Sequence, residues 1–109
     1  MDTLFMVRSN AKAGQEEAFN QWYTDVHLPE VLSIEGFQSA QRFALHQAQV
    51  QPEQPHGYLA VYAIDSTNVA ATLARLGEAT WLTMTDAIDP ASVQISVFSA
   101  LTQTLSASA

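Results

Sequence analysis

Trp22, Tyr23 and His27 fall within six positions of one another in the stretch WYTDVHLPEV, and Pro29 follows two residues later. An imidazole exchanges protons near neutral pH, and a phenol can donate a hydrogen bond to an oxygen that gathers charge. His27 lies four residues after Tyr23, so on a helix the two are neighbours, beside the Trp22/Val26 stripe at the edge of a core. Pro29 disfavours helix at Leu28, which predicts that the helix ends or kinks near His27 and that a second turn, PEVLSI, begins at Pro29. Among the unpaired carbonyls of a helix end, His27 would favour the imidazolium, with its pKa raised toward working pH. The same position also suits a histidine that merely caps the helix. Asp25, two residues before His27, faces elsewhere and makes a poor dyad partner, and Asp86 and Asp89 could approach only from a later loop.

Arg42 is one of four cations, with Arg8, Lys12 and Arg75, against eleven acids, for a net charge of −7. The segment from Phe37 to His46 alternates as a strand, with Phe37, Ser39, Gln41, Phe43 and Leu45 on one face and Gln38, Ala40, Arg42, Ala44 and His46 on the other. The small alanines leave room around Arg42. Under the helices its guanidinium needs an acid of the protein or a carboxylate of a ligand; facing outward it is an ordinary solvated strand residue. His46, at the strand end beside a polar loop, is a further candidate for substrate contact. Tyr58 and Tyr62 share a face of the next strand, where Tyr62 could present a phenol to the His27 cavity or simply pack. Trp81 either walls that cavity or anchors an irregular segment.

Several chemistries lack their residues. No cysteine is present, which removes thiol catalysis, disulfides and thiolate-bound metals. There is no G-x-S-x-G elbow, P-loop or G-x-G-x-x-G, and histidines at 27, 46 and 56 lack the i, i+4 pairing of a helical zinc site. The acidic balance opposes binding to nucleic acid or an anionic membrane surface. No apolar run approaches a membrane span, and MDTLFMVRSN does not read as a leader, so a soluble cytoplasmic protein without metal or other cofactor is expected.

With 109 residues, 48% of them apolar, one domain spanning 1–109 is expected, with a core over about 3–101 and a mobile or neighbour-swapped tail, 102–109. Thr3 to Ser9 reads as a central strand. Ala18, Phe19, Trp22 and Val26 give the first helix, ended after PEVLSI by Gly36. The strand from Phe37 is joined by the loop QAQVQPEQPHG to a strand from Tyr58 to Asp65. Asp65, Ser66 and Thr67 are cap candidates for a second helix carrying Val69, Leu73 and Leu76 and ending at Gly77. EATWLTMTDAIDP is irregular, and Val93 to Leu101 is the last strand. The order β-α-β-β-α-β predicts an α+β, ferredoxin-like fold with a four-stranded antiparallel sheet covered by helices on one face. Its other face carries apolar side chains, so a homodimer through the sheet faces is predicted.

At WYTDVHLPEV…GFQSAQRF the chain resembles the dimeric α/β-barrel superfamily, and within it the EthD-like proteins. The resemblance rests on Trp22, Tyr23, His27, Pro29, Gly36 and Arg42, and topologically spans about residues 3 to 101. It implies a cavity between sheet and helices in each subunit, and functions ranging over muconolactone isomerases, polyketide cyclases, small monooxygenases, haem-degrading enzymes and EthD itself. The function expected is a cofactor-independent isomerase, cyclase or lyase acting by acid/base chemistry on an unsaturated carbonyl or carboxylate metabolite. The implied setting is aromatic-compound catabolism or polyketide tailoring. His27, Tyr23 and Arg42 are the expected catalytic residues, with Trp22, Tyr62, Trp81 and His46 binding substrate. The alternatives are a non-catalytic EthD-type accessory dimer and a haem- or oxygen-using monooxygenase.

Overall fold

Thr3–Ser9 forms strand β1 of the computed structural model, which describes residues 2–108. Thr3, Phe5, Val7 and Ser9 are buried, and the residues between them are half-buried. That double-sided burial suits its place inside the sheet, whose order is β2-β3-β1-β4, with β2 Phe37–Ala44, β3 Tyr58–Ile64 and β4 Gln94–Ser99, every neighbour antiparallel. Helix α1 (Glu16–Trp22) continues through a wide turn, Tyr23–His27, into α2 (Leu28–Leu32), and α3 (Val69–Gly77) follows β3. The element order is the ferredoxin-like arrangement predicted from the sequence.

One face of the sheet carries the core. Phe5, Phe37 and Tyr62 meet edge to face, with ring centroids 5.6–5.7 Å apart, beneath Phe19 and Val31 of the helices. This arrangement corrects the face assignment of β2. Phe37 pairs with Ile64 but Ser39 pairs with Ala63, so a bulge between them shifts the alternation. Phe37 therefore shares the buried face with Ala40 and Arg42, and Ser39, Gln41 and Phe43 face the other way.

Two further expectations shift locally. The strands are shorter than predicted, β2 ending at Ala44, β3 at Ile64 and β4 at Ser99. The cap of α3 is Asn68, whose side chain accepts from Ala71 N at 3.2 Å, because Asp65 spends one carboxylate oxygen on Thr67 N and Oγ1. The long β2–β3 loop is fastened by Asn10, which donates to Pro55 O and accepts from Gly57 N. Among the described residues no helix is long and apolar enough to cross a membrane.

Candidate functional site

The chain does not leave the helix at His27. Leu28 has helical angles, φ −58° and ψ −48°, and its N–H reaches back five residues to Tyr23 O. In a regular turn the Pro29 ring would press on the carbonyl four residues earlier; one wide turn makes room for it and the helix resumes. His27 is therefore inside a continuous helical rod, and the expected helix-end environment that would favour imidazolium is absent. The wide turn also brings residues four and five apart together. His27 stacks on Trp22 (centroids 4.6 Å, 22° between planes) and meets the edge of Tyr23 (5.0 Å, 88°).

Burial lowers the His27 pKa below the ordinary imidazole value, opposed only in part by the Glu30 carboxylate. The shift is opposite in sign to the one expected at a helix end, and it leaves the ring neutral at pH 7. Its Nδ1 is buried and makes no hydrogen bond. A buried unpaired ring nitrogen costs stability and calls for a reason. The linkage has a definite sign: between the unfolded value of 6.5 and the lower folded one, the unfolded chain binds the extra proton. Unfolding free energy is thus expected to fall as pH drops below about 6.5 and to level off under the folded pKa. Denaturant melts of wild type and His27→Gln across that range isolate the effect, because His46 and His56 are common to both. Parallel pH dependences would show that His27 is not the group responsible.

Arg42 fits neither environment considered for it. Its guanidinium carbon lies 4.6 Å from the Tyr23 ring centroid, 5.4 Å from Phe19 and 5.6 Å from Tyr58. It donates to Thr24 Oγ1 (3.0 Å), Asn20 Oδ1 (2.8 Å) and, longer, Asn20 O (3.4 Å). Among the described residues the only ion pair is Arg75 with Glu35, so Arg42 has aromatic faces and neutral oxygens around it but no acid. Asn20 also donates to Tyr58 Oη at 3.3 Å. Asn20→Ala is expected to destabilise the protein by about 1–3 kcal/mol, read as a lower urea midpoint, by leaving a half-buried guanidinium short of an acceptor. An unchanged midpoint would mean that the aromatic faces alone suffice.

Burial raises the pKa of Tyr23 against the opposing effects of Tyr62 and Arg42, and raises that of Tyr62 far more strongly, with Tyr23 adding to it. Both phenols are therefore hydrogen-bond donors at physiological pH. The two hydroxyls face each other closely enough that their interaction lowers the Tyr23 value and raises that of Tyr62. His27 Nδ1 is a buried polar atom without a partner, and Tyr23 lies beside both His27 and Tyr62.

No protein-family model and no curated protein matches the chain. Three solved structures do. An EthD (ethyl tert-butyl ether D) family protein from Bacillus halodurans superposes with a TM-score of 0.60 at 12% identity, covering 93% of this chain and all of its own. A proposed monooxygenase from Shewanella loihica gives 0.60 at 9%, covering 94% and 99%, and a protein of unknown function from Nitrosomonas europaea gives 0.55 at 20%, covering 98% and 96%. The fold is one that an EthD family protein shares. At these identities the likeness extends to the fold alone.

On this fold, His27, Tyr23, Trp22, Tyr62 and Arg42 come together, linked through the Tyr23 ring. His46 and Trp81 do not join them. His46 lies in the β2–β3 loop, its Nδ1 accepting from Ala48 N at 2.9 Å, and Trp81 is 55% exposed beside Ile34, Arg75 and Glu78. Asp25 is exposed, and Asp89 caps the short turn Pro90–Ser92. Among the described residues no three His, Asp or Glu side chains group as a metal site would need. A surface cleft of about 400 Å³ reaches the cluster at Arg42 and is lined by Asn20, Arg42, Phe43, Ala44 and Tyr58; His27 does not line it.

Sequence reasoning missed Asn20, Thr24, Glu30 and Thr83. Glu30 accepts from Thr83 N (2.8 Å) and Oγ1 (2.9 Å), and Trp22 Nε1 donates to Thr83 O (3.0 Å), so two residues flanking His27 clamp the irregular segment after α3. The i, i+3 spacing of His27 and Glu30 was visible; the partner 53 positions on was not.

Proposed function

We propose that the protein is a small cytoplasmic enzyme that moves a proton on an unsaturated carbonyl or carboxylate metabolite, in an isomerisation, cyclisation or elimination. The carrying observation is the buried, unpartnered Nδ1 of a His27 kept neutral by its surroundings. In the Nε2–H tautomer that nitrogen is a base. It takes a proton from the carbon next to a carbonyl, the C–H electron pair moves onto the carbonyl oxygen as an enolate, and the imidazolium returns the proton at a second carbon. Tyr23 or Tyr62, both held protonated, donates to the enolate oxygen, and Arg42, reached from the cleft beside Tyr58, holds a carboxylate. Trp22 packed on His27 keeps water from the ring. Trp81 and His46, which make no hydrogen bond or ring contact with this cluster, contact substrate only if it extends beyond it. The setting that fits is breakdown of aromatic compounds or tailoring of polyketides.

The working unit is a homodimer. The sheet face away from the helices carries Leu4, Met6, Phe43, Leu59, Val61 and Phe98, and burying it between two copies removes that apolar surface from water. Sedimentation equilibrium gives twice the chain mass in this case and the chain mass otherwise.

Enzyme and substrate candidates are tested together by incubating the protein with a panel of unsaturated carboxylic acids and lactones in deuterium oxide. Proton NMR then follows loss of signal at the acidic carbon. Exchange that depends on His27 supports the proposal; exchange equal to buffer for the whole panel, or undiminished in His27→Gln, contradicts it. A non-catalytic EthD-type binding dimer is favoured by one observation: Asn20 and Thr24 already occupy the Arg42 guanidinium. In that case ligands bind without any exchange at carbon.

A further inference from the structure

His27 Nδ1 is buried, with Trp22 stacked on the ring at 4.6 Å between centroids and Tyr23 meeting it edge-on. A metabolite therefore reaches that nitrogen only when a covering element moves. Trp22 is held in place by a segment remote in sequence, its Nε1 donating to Thr83 O at 3.0 Å. Thr83 N and Oγ1 in turn donate to the two carboxylate oxygens of Glu30, at 2.8 and 2.9 Å. Thr83 thus latches onto both sides of the His27 turn, at the end of α1 and within α2.

The chain around Thr83 is fixed at its ends and loose between them. Ala79 is buried, its N–H donating to Leu76 O, and Ala87 is buried, its carbonyl accepting from Lys12 N at 2.7 Å. Between them Thr80, Trp81, Thr83, Met84 and Asp86 are exposed, the backbone is neither helix nor strand, and Leu82 rests on the core. The latch bonds themselves are exposed to water. A span with little buried apolar surface, held by such bonds, opens at a much smaller free-energy cost than the whole fold. It contacts the helix layer, which the proposed pairing of sheet faces leaves uncovered.

We infer that the span from Thr80 to Asp86 is a strap gating His27, latched at Thr83 by Glu30 and Trp22, and that its release lets Trp22 move off the imidazole and admit a small unsaturated carbonyl compound. Glu30 and Thr83 are then positioning residues that act on the base through Trp22. The inference rests on the reading of His27 as a base for what enters, while the motion itself needs no reaction.

The test uses the full chain without substrate. The Trp22 indole N–H, told from that of Trp81 by its persistence in Trp81→Phe, is followed by NMR as it exchanges into deuterium oxide. Its rate should be insensitive to low urea, the mark of local opening, whereas the Tyr62 amide in the sheet should speed up with urea. Glu30→Ala, which removes both carboxylate bonds, should raise the Trp22 rate by about tenfold or more, and Thr83→Val, which removes one, by several-fold. Glu30→Gln, which keeps an acceptor for Thr83 N, should fall between wild type and Glu30→Ala. Acrylamide, itself a small unsaturated amide, reports access by quenching Trp22 fluorescence in Trp81→Phe protein, and adding Glu30→Ala should raise the quenching constant by about twofold or more. The inference is overturned if Trp22 exchange follows urea as Tyr62 does, since only global unfolding then exposes it, or if Glu30→Ala leaves that exchange at the wild-type rate. Quenching indifferent to Glu30→Ala overturns it too, because the strap then bars no organic molecule. If these results hold while no panel acid exchanges at carbon, the gate stands and the proposed reaction falls.

Discussion

Gly36→Ala is expected to destabilise the protein by about 3 kcal/mol or more, lowering the melting temperature by about 10 °C. Two independent features converge on this glycine. Its φ is +105°, which side chains rarely adopt, and a Cβ built there overlaps Thr72 Oγ1 and comes within 2.8 Å of Thr72 Cγ2 and 2.9 Å of Thr72 Cβ. Thr72 is itself buried on α3, with no room to turn away, and the Gly36 carbonyl accepts from Asp65 N at 2.8 Å, fixing the turn to the end of β3. The double variant Gly36→Ala/Thr72→Gly relieves the overlap but not the backbone strain, so part of the loss from the glycine replacement should be recovered relative to Thr72→Gly alone. Thermal unfolding followed by circular dichroism measures all four proteins. A melting temperature for Gly36→Ala within about 2 °C of wild type would mean that α3 sits further from the β2 start than described.

His27→Gln is expected to lower kcat/KM by about 10²- to 10⁴-fold on whichever panel member the wild type turns over. Glutamine approximates the imidazole in size and polarity but cannot accept a proton from carbon at neutral pH, so the loss should fall on kcat and leave KM nearly unchanged. The wild-type pH profile should rise through a pKa below 6.5 and be flat at neutrality, because the neutral ring is the active form and burial lowers its pKa. A residual rate within threefold of wild type would remove His27 from the chemistry. Tyr23→Phe should cost less, since the Tyr62 phenol remains as a donor.

Regular alternation and helical spacing made most of the architecture legible. Thr3 to Ser9 read as an interior strand because both of its faces are apolar, and the breakers around Pro52, Pro55 and Gly57 could only be a loop. What escaped depended on a local irregularity or on distant partners. The bulge after Phe37 carries no glycine or proline to announce it, so strict alternation puts Phe37 on the face opposite Arg42, whereas the two share the face beneath the helices. Pro29 reads as ending or kinking the helix near His27 and starting a second turn; the chain widens by one turn there and continues as helix, and the absence of a true end reverses the direction of the His27 pKa shift. The site residues from 22 to 42 were legible because they meet through neighbouring elements. Glu30 with Thr83 were not, because a pair 53 residues apart leaves no periodic trace.

His27 is proposed to be a half-buried neutral base that ligand reaches, and NMR titration of its ring tests this most directly. The His27 signals are identified by their absence in His27→Gln, and the titration is run alone and with the panel acid that shows His27-dependent exchange. A midpoint below 6.5 that moves when the acid is added is the expected result. A midpoint at or above 6.5 that ignores the acid would make His27 a solvated helix residue and contradict the proposed chemistry.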